Sequence, residues 1–256
     1  MTEFKYILPK FYKPENNSIA VSEAFFSCQG EGSTQGVSAI FLRTQGCNLF
    51  CHWNNKNLKL EPCDTITQWK EGKYWLITEL IQDWINKGWL DKLKTGSHLV
   101  CTGGEVLLRQ QEYIELFQQL RTIQIQPYIE IESNATIKPN SIFDSFVQQY
   151  NLSPKLQSSN MPTNTRYREN VLQHFARDKR AIFKFVITSV KDMEEIQNDF
   201  VNKFSIPNNR IWLMPLADTR DELITNSEYV VELAKKYGYN YSSRLQIELW
   251  NKTVGV

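Results

Sequence analysis

Apolar and polar positions along the chain fall into two alternating periods. Short runs rich in β-branched and aromatic residues at 19–26, 38–43, 98–102, 128–132, 181–187, 210–214 and 245–249 predict strands. Between them, apolar residues recur at helical spacing. Residues 75–87 place Leu76, Leu80, Ile81, Trp84 and Ile85 on one stripe, and residues 110–120 do the same with Tyr113, Ile114, Phe117 and Leu120. Residues 193–204 and 227–236 predict further helices. Several strand segments are near-continuous apolar runs, which with strand–helix alternation predicts parallel βα units around a buried sheet. A closed eight-unit barrel typically needs about 250 residues. Only about six units can be counted here, so the pattern predicts an α/β fold with a partial, open βα barrel. No repeat, low-complexity tract or linker interrupts residues 1–256, which predicts a single domain, with 1–17 as an irregular or partly extended leader.

Composition narrows the function classes. The 29 Lys and Arg against 28 Asp and Glu leave a net charge of +1, which argues against an electrostatic nucleic-acid binder. The 41% hydrophobic content is enough for a sizeable core. No apolar run approaches the roughly 18 residues of a membrane span. The first residues, MTEFKYILPKFYKPENN, carry charges and prolines where a signal peptide has its apolar stretch, so a cytoplasmic location is expected. Of the cysteines Cys28, Cys47, Cys51, Cys63 and Cys101, an odd number makes a poor disulfide framework. Cys28 and Cys101 sit singly in predicted strands and read as small buried hydrophobes. Cys47 and Cys51, in GCNLFCHW, follow directly on strand 38–43, at the strand end where a βα barrel carries its chemistry. Neighbouring thiolates there can bind zinc or an iron–sulfur cluster. Zinc prefers two closely spaced pairs, whereas only one pair is present before the more distant Cys63.

Three thiolates on a four-iron cube leave one iron open to chelate a small molecule through an amine and a carboxylate. Radical S-adenosylmethionine enzymes do this with a C-x3-C-x2-C motif. At its third position this chain has Asn54. Deleting residues 54–62 joins the text as GCNLFCHWCDTITQW and restores the spacing with Cys63 as third ligand. The 54–62 segment then reads as a polar insertion, which loop-closure entropy tolerates because its cost grows slowly with length. The rivals are Asn54 as ligand, although an amide is a poor one for iron–sulfur chemistry, or no cluster.

From about Val21 onward the chain resembles the 7-carboxy-7-deazaguanine synthases, radical S-adenosylmethionine enzymes of the queuosine-type 7-deazapurine route. The resemblance is carried in order by SCQGEG from Ser27, FLR from Phe41, GCNLFC, CDT from Cys63 with Trp69, and TGGE from Thr102. It continues through IESNAT from Ile131, SPK from Ser153, FKFVI from Phe183, LMP from Leu213, and SSRLQIELWNKTVGV, similar to the family's closing strand and tail. It implies conversion of 6-carboxy-5,6,7,8-tetrahydropterin to 7-carboxy-7-deazaguanine with loss of ammonia, by a radical generated from S-adenosylmethionine at a [4Fe-4S] cluster. It implies Cys47, Cys51 and Cys63 as cluster ligands and Thr65 as a Mg2+ ligand, backed by Asp64. Gly103, Gly104, Glu105, Ser133, Ser153, Pro154 and Lys155 would hold S-adenosylmethionine. Cys28, Gln29, Gly30, Glu31, Arg43, Thr102 and Val256 would hold the substrate. Its implied partners are an electron donor such as flavodoxin and a second copy in a homodimer, with neither nucleic acid nor membrane.

The residue types suit these assignments. Glycines let a ligand approach the backbone, Glu105 can accept from an ammonium, and an arginine at a strand end can hold a carboxylate bidentately. Two positions depart from the family pattern: Val106 replaces a frequent proline, and Gln246 stands where many members have histidine. Rival readings are another radical enzyme, such as a glycyl-radical activase, and a zinc-binding or cluster-free interaction protein. QGEG and CDT speak against the first, and only the interrupted cysteine motif supports the second.

Overall fold

The computed structural model describes residues 17–54, 60–63, 65–253 and 255. The leader, apart from Asn17, lies outside the described residues, as do Asp64, Val256 and positions 55–59 of the insertion. In chain order the strands are β1 (Ser18–Cys28), β2 (Ser38–Thr44), β3 (His52–Asn54), β4 (Leu60–Pro62), β5 (Lys73–Leu76), β6 (His98–Gly103), β7 (Ile129–Ser133), β8 (Gln149–Leu152), β9 (Ala181–Ile187), β10 (Ile211–Pro215) and β11 (Asn240–Tyr241). All except the β3–β4 hairpin join one sheet, in the order β11-β10-β9-β8-β7-β6-β2-β1-β5. From β2 to β11 six successive pairings are parallel, while β1 runs antiparallel to both β2 and β5. The order is linear, with β5 and β11 at its edges, so this is the open α/β barrel that the pattern predicts.

The helices are α1 (Ile66–Lys70), α2 (Ile77–Asn86), α3 (Trp89–Lys94), α4 (Gln110–Thr122), α5 (Ser141–Asp144), α6 (Thr163–Arg166), α7 (Glu169–Arg177), α8 (Val190–Glu195), α9 (Arg220–Tyr237) and α10 (Leu245–Trp250). A π-helical stretch, Ile196–Asn202, continues α8. In α4 the anticipated stripe of Tyr113, Ile114, Phe117 and Leu120 is buried. In α2 the buried stripe is Ile77, Leu80, Ile81 and Trp84, whereas Leu76 and Ile85 are exposed. The reason is that residues 73–76 leave the helical pattern to pair with Ser18–Val21. Each fully buried large side chain, such as the 0% exposed Trp84, contributes about 1.5–3 kcal/mol.

One predicted strand is overturned. Residues 245–249 form helix α10, in which Ile247 is buried and Leu249 is 52% exposed. The alternating Leu245, Ile247 and Leu249 mimic a strand, but Asn240–Tyr241 already takes the sheet edge beside β10. The short strand β8 was hidden for the opposite reason, because Gln149 and Asn151 put buried polar side chains in a parallel strand. The parallel strands bury apolar residues on their helix-facing side, where Leu42, Cys101, Ile131, Leu152, Phe183 and Leu213 join one core. The concave side carries Arg43, Thr102, Glu132, Asn151 and Lys184. No helix among the described residues is long and apolar enough to cross a membrane.

Candidate active site

A cavity of about 910 Å³ opens where the parallel strands end, and Cys47, Cys51 and Cys63 all line it. Their meeting depends on the inserted segment. β3 and β4 pair antiparallel, with His52 opposite Pro62 and Trp53 opposite Glu61, and Cys63 N donates to Cys51 O at 3.0 Å. The excursion therefore returns the chain to the point where it left, and Cys63 stands beside Cys51 despite the long spacing. Asn54 lies one ladder position further out, opposite Leu60. Asn160 Nδ2 ties the hairpin down by donating to His52 O at 2.9 Å. Beneath the loop, Trp69 is 3% exposed, meets Phe50 edge-on, and accepts through its carbonyl from Gly46 N. Thr65 lines the cavity with Oγ1 3.3 Å from Cys63 Sγ, at the start of α1. Its side chain makes no capping hydrogen bond there.

The donor set fits an iron–sulfur cluster. Burial, reinforced by Glu105, Cys51 and Cys63, pushes the Cys47 thiol up to about 12 although the Leu49 amide opposes it. Such a thiol ionises when a cationic centre draws it down. Among the described residues no three His, Cys, Asp or Glu groups converge on a point that one ion could fill. A four-iron cluster makes a different demand, one thiolate at each of several corners around a shared space.

On the wall next to the cysteines stand Gly103, Gly104, Ser133, Ser153 and Lys155. The glycines serve backbone packing. A Cβ on Gly103 would lie 2.5 Å from Thr44 O, and one on Gly104 would lie 2.3 Å from Gly46 O and 2.6 Å from Cys47 Cβ. Glu105 and Pro154 are buried and do not line the cavity. The Glu105 carboxylate, raised by burial, already accepts from Leu107 N at 2.9 Å, Ser133 Oγ at 2.9 Å and Asn134 N at 2.7 Å. It acts as a strut between the GGE and SNAT segments, so an incoming ammonium would compete with three protein donors. Lys155 Nζ donates to Ser153 Oγ at 2.9 Å.

The SCQGEG segment approaches from the opposite end of the barrel. Because β1 is antiparallel to β2, the connection after Cys28 crosses the N-terminal ends of the parallel strands and closes the barrel from below. Cys28 is exposed at the end of β1 and lines the cavity, which corrects its reading as a buried hydrophobe; Cys101 is fully buried as anticipated. Gln29, Gly30 and Glu31 line the cavity floor. Glu31 accepts from Lys184 Nζ at 3.0 Å, Arg244 Nε at 3.2 Å and Gln246 Nε2 at 2.8 Å. Burial alone would raise its carboxyl, but Lys184 and Arg244 hold it down at about 2. Gly30 is needed because a Cβ there would overlap the Gln246 amide. Arg43 gives Nε to Glu23 Oε1 at 2.7 Å, an ion pair between neighbouring strands β2 and β1. Thr102 Oγ1 donates to Glu132 Oε2 at 2.7 Å.

Several cavity residues escaped sequence reasoning. Glu132 and Asn134 lie inside IESNAT, and Lys184 lies inside FKFVI. The signal was available, since a charged residue in an apolar strand faces the side away from the core. Gln246 comes from the segment read as a strand, 245–249, and Arg244 directly precedes it; as helix α10 and its N-cap they meet Glu31. Lys252, Thr253 and Gly255 bring the tail to the same cavity.

No protein-family profile matches the chain. The 7-carboxy-7-deazaguanine synthase of Pyrobaculum aerophilum is 30% identical over 240 residues, covering 93% of this chain and 97% of the relative. That of Halobacterium salinarum is 30% identical over 255 residues, covering 91% of each. The crystal structure of QueE from Escherichia coli shares the fold at a TM-score of 0.60 and 21% identity, over 88% of this chain and 93% of that one. With the motifs in order from one end of the barrel to the other, and full-length relatives of one description at this identity, the chain belongs to the 7-carboxy-7-deazaguanine synthase family.

Proposed function

We propose that this single-domain chain is a radical S-adenosylmethionine lyase that converts 6-carboxy-5,6,7,8-tetrahydropterin to 7-carboxy-7-deazaguanine with loss of ammonia. The observation that carries this reading is the return of Cys63 to Cys51 through the β3–β4 ladder, which gathers three thiols around one cavity despite the interrupted motif. Cys47, Cys51 and Cys63 hold a [4Fe-4S] cluster. Ser133, Ser153 and Lys155, with the Gly103–Gly104 backbone, hold S-adenosylmethionine beside it, while Glu105 and Pro154 support that wall from behind. Bound together, cluster and cofactor supply one-electron hydrogen-abstraction chemistry that no side chain of the chain can perform.

The chain's own residues bind and orient the pterin. Gln29, Gly30 and Glu31 form the floor, with Cys28 and Thr102 beside them. Glu31 stays ionised and fixed by two cations, so it organises the floor, and Glu132, which also lines the cavity, presents its carboxylate to an amidine edge. Arg43, which gives Glu23 its Nε, offers the fork of its guanidinium to the substrate carboxylate. Thr65, next to Cys63, supplies one oxygen to a Mg2+ ion that binds together with substrate oxygens. The tail residues Lys252, Thr253 and Gly255 line the cavity and help exclude water from the pterin. A flavodoxin-type donor, a homodimeric state and a cytoplasmic setting complete the reading.

Anaerobic reconstitution followed by assay with the tetrahydropterin tests it. About four irons per chain, broad visible absorption and ammonia release are expected. Cys63→Ala abolishes all three, whereas Asn54→Ala leaves them in place. Full iron content in Cys63→Ala defeats the ligand assignment.

A further inference from the structure

The loop that closes the lower end of the barrel stands on a buried acid for which the chemistry above has no use. Glu130, on β7, is 0% exposed. Its Oε1 accepts from His98 Nδ1 at 2.5 Å, and its Oε2 from Thr34 Oγ1 at 2.9 Å, Asn151 Nδ2 at 2.7 Å and Gln29 Nε2 at 3.4 Å. Two of those donors, Gln29 and Thr34, belong to the floor loop, and the other two sit on the strands flanking β7. Gln29 passes the constraint on, because its Oε1 accepts from the backbone of Glu31 at 3.2 Å and its Nε2 lies 3.4 Å from Glu132 Oε1.

His98 is itself held in place. Its ring stacks on Tyr128 at 4.3 Å, and Tyr128 OH donates to Gln149 Oε1 at 3.3 Å. Gln149 Nε2 in turn donates to Ser33 Oγ at 2.9 Å, a second tie to the same loop. A buried carboxylate is tolerated only when it is paired and hydrogen-bonded. His98 supplies the shortest of the hydrogen bonds, and the other donors fill the remaining lone pairs. His98 opens β6 and pairs in register with Ala39, near the start of β2. It therefore lies at the opposite end of the strands from the cysteines.

We infer that His98 and Glu130 are positioning residues for substrate recognition: their hydrogen bond fixes the Glu130 carboxylate, which holds Gln29, and through it the Glu31 backbone, in the orientation that reads the pterin ring. This rests on the substrate reading proposed above. Without the His98 donor, the Glu130 charge draws Gln29 and Thr34 into new geometries, and the floor loses its preorganised shape. The cluster, at the other end of the barrel, is untouched.

Three variants test this on reconstituted enzyme: His98→Leu, Thr34→Val and His98→Asn, whose amide nitrogen can stand where Nδ1 stood. The measurements are KM and kcat with the tetrahydropterin, the Kd of 6-carboxypterin (its unreactive oxidised form), and iron content. His98→Leu and Thr34→Val raise KM and Kd about tenfold, the loss of one charge-assisted hydrogen bond, while kcat and iron stay within about twofold. His98→Asn recovers most of the affinity. Should His98→Leu fail to fold, Thr34→Val, on the half-buried loop side of the same carboxylate, decides the question by itself. KM and Kd within about twofold of wild type in these variants, or a fall in kcat and iron at unchanged KM, overturns the positioning assignment. Wild-type enzyme that neither binds 6-carboxypterin nor turns over the tetrahydropterin refutes the substrate reading instead, and the two failures are thereby distinct.

Discussion

Gly104→Ala separates two accounts of the GGE segment. If its glycines serve only the approach of a ligand, the substitution weakens cofactor binding and leaves the empty protein as stable as before. The packing gives a different answer. A Cβ on Gly104 meets Gly46 O at 2.3 Å and Cys47 Cβ at 2.6 Å, and real contacts essentially never fall below 3.0 Å. The loop that carries Cys47 must then retreat by at least 0.7 Å, the gap between 2.3 and 3.0 Å. The Glu105 N to Gly46 O hydrogen bond, 2.9 Å long, resists that movement. Overpacking of this kind costs about 1–3 kcal/mol, and in a chain of this length each kcal/mol lowers Tm by about 2–4 °C. Metal ligands must stand within about 0.2 Å of their places, so the displaced Cys47 also forfeits the cluster. Melting of the cluster-free protein and iron content after anaerobic reconstitution measure the two effects. A wild-type Tm with full iron uptake refutes the packing account.

Other substitutions read out the remaining assignments. Cys28→Ala and Cys101→Ala keep about four irons per chain, and only the second, in the core, costs stability, about 1–2 kcal/mol in a melting experiment. Glu31 is held at about 2 against an ordinary 4.5. A depressed carboxyl stabilises the fold above its unfolded pKa, so on the order of 3 kcal/mol is present at neutral pH and is lost as pH falls from 4.5 towards 2. Glu31→Gln therefore flattens the acid limb of the Tm profile, and an unchanged limb excludes Glu31 as its source. Removing residues 252–256 takes Lys252, Thr253 and Gly255 off the cavity wall. KM for the pterin then rises about tenfold at constant iron content, measured by steady-state kinetics.

How far the chain could be read in advance depended on where each residue's partner lies. The stripe of α4 was legible because all four of its apolar positions fall within the helix itself. Strand β9 was legible over its full length, 181–187, because its apolar run is broken only by Lys184. Strand β8 was not, since Gln149 and Asn151 are buried against Ser33 and Glu130 from remote segments, and a polar residue carries no local sign of that partner. The tail misled for a related reason. Its apolar alternation matched a strand, but a strand also needs a free edge, and β11 occupies the one beside β10. At the site, the motifs named Cys47, Cys51 and Arg43 directly, while Lys184 and Glu132 stood inside motif segments without being recognised as site residues.

The sequence alone determined the order of βα units, the apolar faces that bury the sheet, and the grouping of thiols after the second strand. These follow from burial, whose period is written locally along the chain. Tertiary structure decided that Cys63 returns to Cys51, that the SCQGEG loop enters the barrel from the end opposite the cysteines, and that Gly104 is required by the Cys47 loop. Each of these depends on a contact between segments distant in sequence, or on the direction in which a strand runs. Such contacts are selected by hydrogen-bond pairing and close packing once the chain has folded, and neither leaves a periodic trace in the sequence.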